Sequence, residues 1–391
     1  MERRDPVGFP ASVADQDEVV GQPDSPDPRN WPFRCCTKGN MLPPRSNLYG
    51  LALGLLFCLS AEAARKPVVH RQTRQVMGTS CEIQVYDADS VRAERAATRA
   101  LDEIERVDGL LSNYNPAAEL SVMNREAARS PFHASAELFD FVQMCRRFHE
   151  ETSGTFDPTV GPIVRAWGFF TQRPTKPPDG AIEAAEAKSG FDKVQLNERD
   201  RTVSYSVPGL EIDPGGIGKG YAVDRAVLIL KQEGISSALV SAGGSSLYAL
   251  GRPPGRSAWR IAIKDPANWQ QPIGYVDLRD NSLSTSGISE QSVQIGSHRY
   301  SHIFDPRTGD PVENMCQVTV VAATGTETDA LTKAAYILSR ESVAEIVKRR
   351  TGMHVLRMEG PCGAGGVIWV TPGSAAVFRQ SQPKSRRATQ D

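Results

Sequence analysis

Between Ile212 and Asp224 the chain reads IDPGGIGKGYAVD, four glycines and a lysine set between two aspartates. Glycine at this density demands a backbone that runs close to something, either another segment of chain or an anion. Spacing excludes two familiar phosphate loops. A Walker A loop would put glycine at position 213 and a hydroxyl at position 220, where this chain has Asp213 and Gly220. The dinucleotide fingerprint G-x-G-x-x-G finds no register either. Backbone amides, the charge of Lys219 and a helix starting at once still suit an anion, and a tight strand-to-helix turn explains the same glycines.

The flanking sequence alternates helical and strand signals without a regular βαβ series. CEIQVYDA alternates as a strand does, and Ala97, Leu101, Ile104 and Leu111 keep a helical period. A second helix is expected from near Ser135 to Gly154. RTVSYSV and LEI are expected as short strands leading into the glycine stretch, and the helix after it ends at Gly234. AWRIAIKD, GYVDLRD, QVTVVAAT, HVLRME, GVIWVTP and AVFRQ read as further strands, TDALTKAAYILS and SVAEIVKRR as helices. No repeat or interdomain linker interrupts this pattern. The expectation is an α+β fold, a single catalytic unit of mixed strands and helices over residues 70–380, with a flexible tail at 381–391.

The N-terminal region differs. Residues 1–40 are rich in Pro, Asp and Arg without an apolar period, and are expected to be a disordered or wrongly assigned leader. Residues 41–63 have the anatomy of a signal peptide: Arg45, an apolar run from Leu48 to Leu59, and Ala61-Glu62-Ala63 as cleavage site. Translation is then expected to start at Met41 and the mature chain near Ala64. The protein is expected to be exported and periplasmic, with inner-membrane association as the alternative if the segment is retained as an anchor. Phe57 is too bulky to precede a lipidated Cys58. Past the leader, Cys81, Cys145, Cys316 and Cys362 form no C-x-x-C pair, so no zinc or redox motif is signalled. Export permits a disulfide, but the sequence does not demand one. With 45 basic and 46 acidic side chains the net charge is −1, so nothing global recruits a nucleic acid.

Polar clusters fall at element boundaries, where function concentrates. Asp157 and Thr159 flank a proline in SGTFDPTVGPIVRAWGF, VSAGGSS ends a strand in two glycines, and SLSTSG offers four hydroxyls. In YSHIFDPRTGDP, His302 precedes Asp305 by three residues. TETDALTK puts Asp329 in the first turn of a helix, a position for a cap or for a magnesium ligand.

Taken in order, VMGT, LSNYNPAAELSVMN, GTFDPTVGPIVRAWGF, IDPGGIGKGYAVD, SAGG, STSG, HIFDPRTGDP and TDALTKAAYIL resemble the FAD:protein FMN transferases, the ApbE-like flavin transferase family, over about Met77 to Leu338. The resemblance implies an exported enzyme that binds FAD and Mg²⁺ and moves FMN onto a threonine hydroxyl of an acceptor protein carrying a flavinylation motif, releasing AMP. By position, Met77, Tyr114, Thr155, Phe156, Asp157, Asp213, Lys219 and Ile303 would contact FAD. Gly216 and Asp329 would hold the metal, with Thr332 or Lys333 beside them. His302, oriented by Asp305, would take the threonine proton. This chain departs from the family at two positions: Lys333 stands where a threonine is usual, and Ser245 where aspartate is frequent. A protonated lysine cannot bind a metal. An exported Mg²⁺-dependent FAD pyrophosphatase and a non-catalytic FAD-binding protein are the rival readings.

Overall fold

Strands that are apolar on both faces need cover on both sides, and that requirement organises the molecule. The structure, a computed structural model, describes residues 67–171, 175–288, 292–295, 298–362, 366–374 and 377–380. The expected leader 1–40, signal peptide 41–63 and tail 381–391 lie outside the described residues. The chain enters through a hairpin of β1 (Val68–Val76) and β2 (Thr79–Asp87). Helix α1 (Ser90–Leu111) follows, capped by Asp89, whose carboxylate accepts the Val91 and Arg92 amides. Next come α2 (Glu119–Glu126), β3 (Phe132–His133), α3 (Ala136–Glu151), α4 (Gly161–Ala166), α5 (Ala181–Glu186), β4 (Val194–Asn197) and β5 (Thr202–Tyr205). Helix α6 (Gly218–Gln232) leads to β6 (Ala238–Ala242), β7 (Ser246–Leu250), β8 (Trp259–Asp265), β9 (Asn268–Leu278) and β10 (Asn281–Gly287). After β11 (Ser292–Ile295), β12 (His298–Ser301) and β13 (Met315–Ala322), helices α7 (Gly325–Ile337) and α8 (Arg340–Lys348) precede β14 (His354–Glu359), β15 (Val367–Val370) and β16 (Phe378–Gln380).

Eight strands make one antiparallel sheet in the order β1-β2-β6-β7-β10-β13-β14-β15. Alternation sorts its side chains into two cores. Val240, Tyr248, Val318 and Val320 point into the core shared with α1, α6 and α7. Their neighbours Leu239, Leu247, Leu283 and Val321 point the other way, onto Trp259, Ile261 and Val276 of the small β16-β9-β8 sheet. The result is three layers, helices over a large sheet over a small one, which is the expected α+β class.

Three expectations for local structure change. Helix α7 begins at Gly325 with Thr324 as its cap, so Asp329 falls in its second turn and not its first. LEI is not a strand: Asn113 and Asn124 both donate side-chain amides to the Ile212 carbonyl, and Asn124 Oδ1 accepts the Ile212 amide. Side chains thus take the hydrogen bonds that a ladder would have used. SLSTSG, read as polar residues at an element boundary, lies within strand β10, because its hydroxyls find partners on α7 instead of water. Cys316 and Cys362 are joined by a disulfide with Cα atoms 5.3 Å apart, while Cys81 and Cys145 are free and buried.

The first turns of α6 and α7 touch backbone to backbone. A Cβ at Gly220 would lie 2.0 Å from the Gly325 carbonyl oxygen, and one at Gly325 would lie 2.5 Å from that of Gly220. Asp224 of α6 accepts the Gly325 and Thr326 amides and the Thr326 hydroxyl. In return the Gly220 amide donates to Asp329 of α7 at 2.7 Å. Gly220→Ala is therefore expected to destabilise the protein at or above the upper end of the roughly 1–3 kcal/mol seen for overpacking. Gly109 of α1 has open space around its Cβ position and an ordinary φ, so Gly109→Ala is expected to stabilise by about 0.4–1 kcal/mol. Urea unfolding of the two variants checks the opposite signs.

Candidate functional site

The turn ending β1, the start of β7, the end of β10 and the start of β13 fall at one end of the large sheet, as their pairing dictates. A cavity of about 1210 Å³ opens there. One stretch of wall comes from the glycine loop before α6, the first turn of α6 and α7: Gly215, Gly216, Lys219 and Lys333. Another comes from the apolar faces of the two sheets, Leu239, Leu247, Leu283, Ile261 and Ile263. Met77 stands at the sheet edge in a two-residue hairpin turn with φ 56°, followed by Gly78 at φ 67°. A non-glycine residue held there is strained, and the Asp108 carboxylate helps to hold it by accepting the Met77 amide at 3.1 Å.

The glycine stretch serves two ends. Gly220 makes the helix crossing, while Gly216 lets the loop lie under Phe156 and Lys333: its Cβ position is 3.3 Å from Phe156 Cε2 and 3.6 Å from Lys333 Cγ. Asp213 caps the loop by accepting the Gly215 amide at 2.8 Å. Lys219 Nζ donates to Ser245 Oγ at 2.6 Å, so the residue found where aspartate is frequent orients the lysine with a neutral hydroxyl.

Thr155, Phe156 and Asp157 are brought to the cavity wall, yet their polar groups are largely committed inward. Thr155 Oγ1 donates to the Thr152 carbonyl. Asp157 accepts the Thr159 amide and hydroxyl and the Phe191 amide, and faces His149 Nδ1 at 3.2 Å. Its carboxylate holds the loop in shape. Tyr114 is 75% exposed at the rim, its ring 5.1 Å from that of Phe170, which in turn lies under the Arg165 guanidinium. His302 and Ile303 line the cavity from the loop after β12. Asp305, expected to orient His302, receives the Arg307 guanidinium on both carboxylate oxygens. Asn113 and Asn124, which tie Ile212 down beside Asp213, are the contributors that sequence reasoning missed; both lie in LSNYNPAAELSVMN.

Asp329 is 0% exposed, and its oxygens take three donors from the chain: Ser246 Oγ and Ser284 Oγ at 2.6 Å, and the Gly220 amide. Thr332 is equally buried and donates to the Asp329 carbonyl. Lys333 Nζ donates to Ser286 Oγ at 2.9 Å. Magnesium needs a near-octahedral oxygen shell. Here the one carboxylate is occupied by donors, the threonine hydroxyl is turned to a backbone carbonyl, and an ammonium group stands beside them. Among the described residues no group of three or more His, Cys, Asp or Glu side chains could hold a metal. These residues do not fit the magnesium site expected of Gly216, Asp329, Thr332 and Lys333.

Burial pushes the Asp213 carboxyl up to about 6, with the Glu211 carboxylate adding to the rise, against the Gly215 amide and Arg165. A carboxyl raised in the folded state favours folding fully below the unfolded value of about 4, and that contribution is lost as pH rises through about 6. Wild type is thus expected to lose stability relative to Asp213→Asn between about pH 4 and pH 6. Urea unfolding of both proteins across that range, without ligand, checks the sign.

A family model described as the ApbE family matches residues 77–356. A protein of Salmonella typhimurium called FAD:protein FMN transferase is 33% identical over 308 residues, 76% of this chain and 86% of its own length. One of the same name from Escherichia coli K12 is 32% identical over 293 residues, 73% of this chain and 83% of its own. Among solved structures, the Thermotoga maritima ApbE protein superposes with a TM-score of 0.73 at 28% identity, covering 80% of this chain and 100% of that one. The flavin transferase ApbE of Vibrio cholerae gives 0.70 at 27%, covering 80% and 99%. Sequence and fold thus agree, and this chain belongs to the ApbE family.

Proposed function

We propose that this chain transfers FMN from FAD to a threonine hydroxyl of an acceptor protein and releases AMP. The cavity carries the reading: Lys219, Lys333 and a glycine backbone loop face the same space as His302 and a wall of aliphatic side chains. Two ammonium groups suit a pyrophosphate, and the aliphatic wall suits a flat ring system. The relatives named FAD:protein FMN transferase support the choice of flavin and of acceptor class.

In this reaction the threonine oxygen attacks the phosphorus of the FMN half. The bond from that phosphorus to the bridging oxygen breaks, and AMP departs with the bridging oxygen. The threonine proton passes to His302, and a phosphodiester joins FMN to the acceptor. Catalysis of this kind is mostly positioning and charge neutralisation. Lys219, fixed by Ser245, neutralises the phosphates, and the capped loop from Asp213 to Gly216 offers them its backbone. Tyr114 and Met77, which line the cavity, would bound the flavin, and the segment Thr155 to Asp157 would bound the adenosine. The expected Mg²⁺ lacks a fitting protein shell, so no step is routed through it. An exported, periplasmic location belongs to the same proposal, supported by the signal-like segment 41–63 and by the Cys316–Cys362 disulfide, a bond that persists in oxidising compartments.

Incubation of the protein with FAD and an acceptor bearing a threonine motif should add the mass of FMN to the acceptor and release AMP in equal amount. FMN and AMP released without acceptor modification would make the protein a pyrophosphatase, and bound FAD without any AMP would make it a binding protein. His302→Ala should lower transfer by about 10²–10⁴-fold, the span of general-base loss, while FAD binding changes little. Unchanged turnover would remove His302 from the mechanism.

A further inference from the structure

We propose that the side-chain amide of Gln317 reads the edge of a heterocyclic ring of FAD. The inference rests on the reading of FAD as substrate and names a residue that recognises it. Gln317 lies near the start of β13 and lines the cavity with Leu283, Thr285 and Gly287 of β10. The residue is 4% exposed, and among the described residues its Nε2 has no hydrogen-bond partner. A buried amide donor left unmet is unfavourable, and native chains rarely keep one without a use. Register explains why the neighbouring strands supply no partner. Gln317 pairs with Gly287 on one side and with Met358 on the other. The first brings no side chain and the second an apolar one.

Alternation puts Thr319 and Val321 on the same face as Gln317, opposite Thr285 and Leu283. The two threonine hydroxyls meet each other at 2.9 Å, and Leu283 and Val321 lie in the apolar core, so neither rung turns a polar group to the amide. Leu283 continues into the aliphatic wall of Leu239, Leu247, Ile261 and Ile263. A flat ring held against that wall would bring its edge towards Gln317. A carboxamide offers a donor and an acceptor side by side. The flavin ring presents a matching edge in its carbonyls flanking N3–H, and adenine one in its amino group beside a ring nitrogen, a pair that glutamine binds in other settings. The last torsion of glutamine is broad, so the amide can turn to meet such an edge. An apolar residue of the same length would spare the empty protein its unmet donor, so the glutamine is explained by what it binds.

Gln317→Met keeps the length of the side chain and removes the amide. Urea unfolding of the full-length protein without ligand, and binding of FAD, riboflavin and ADP, are measured for wild type and variant. The variant should unfold at the same or a higher urea concentration, because replacing an unmet buried donor by an apolar group of like shape is neutral or favourable. It should bind FAD more weakly by at least about threefold, with about tenfold expected for one well-made hydrogen bond. One fragment should weaken by at least about threefold as well, while the other changes by less. Riboflavin is that fragment if the amide reads the flavin, and ADP if it reads the adenine. FAD affinity that falls by less than about threefold would overturn the inference. So would a loss shared by both fragments or by neither. A variant that unfolds at lower urea than wild type would make the amide structural and overturn it too. Wild type that binds none of the three ligands would sink the reading of FAD as substrate, and this inference with it; each of the other failures leaves that reading standing.

Discussion

Two helix starts pressed together without side chains between them are the constraint on which the rest of the molecule depends. Gly220 and Gly325 allow the contact, and Asp224 and Asp329 each reach across it. Asp329 is a fully buried carboxylate and Asp224 a partly buried one, and buried charges are tolerated when hydrogen bonds surround them. Burial still raises the Asp224 carboxyl above its ordinary range despite its three donors. The crossing sets where α6 begins and where α7 passes, and therefore where Lys219 and Lys333 emerge. A change in either glycine would move both lysines together.

The cavity is framed by parts that answer to different cores. Lys219 and Lys333 ride on helices packed against one face of the large sheet, while Ile261 and Ile263 belong to the small sheet on the other. The hairpin carrying Met77 and the turn carrying Gly243, Gly244 and Ser245 close the gap at the sheet end. A ligand lying here would span the polar and apolar walls, as a flavin dinucleotide requires. Asn113 and Asn124 fasten the loop before Asp213 to the helical layer, so the loop is set by the fold rather than by the ligand.

Much of this was legible in the sequence, and the exceptions share a cause. The alternation in β2, β8 and β13 and the helical periods of α1 and α3 could be read because burial alone explains them. LEI failed because two asparagines far off in the chain supply its hydrogen bonds, and no local pattern records that. Strand β10 escaped because serine at every second position looks like loop chemistry until α7 is known to lie above it. His302 and Lys219 could be placed at a site from their surrounding glycines and prolines. The engagement of Asp157 and Asp305 with their own loops could not, since a carboxylate that holds a turn and one that holds a ligand look identical in one dimension. The Cys316–Cys362 bond likewise depends on β13 and the turn after β14 coming together, which spacing does not state.

The serines of β10 carry one more consequence. Ser282, Ser284 and Ser286 meet Thr328, Asp329 and Thr332 in turn, while Leu283 between them faces the opposite core. A slip of one residue along β7 and β13 would set Leu283 against the Asp329 carboxylate and bury hydroxyls among Trp259 and Val276. Each error alone is unfavourable, and the slip commits both at once. The strand therefore proofreads its own alignment, and the chemistry that builds the site also excludes its nearest misfolded neighbour.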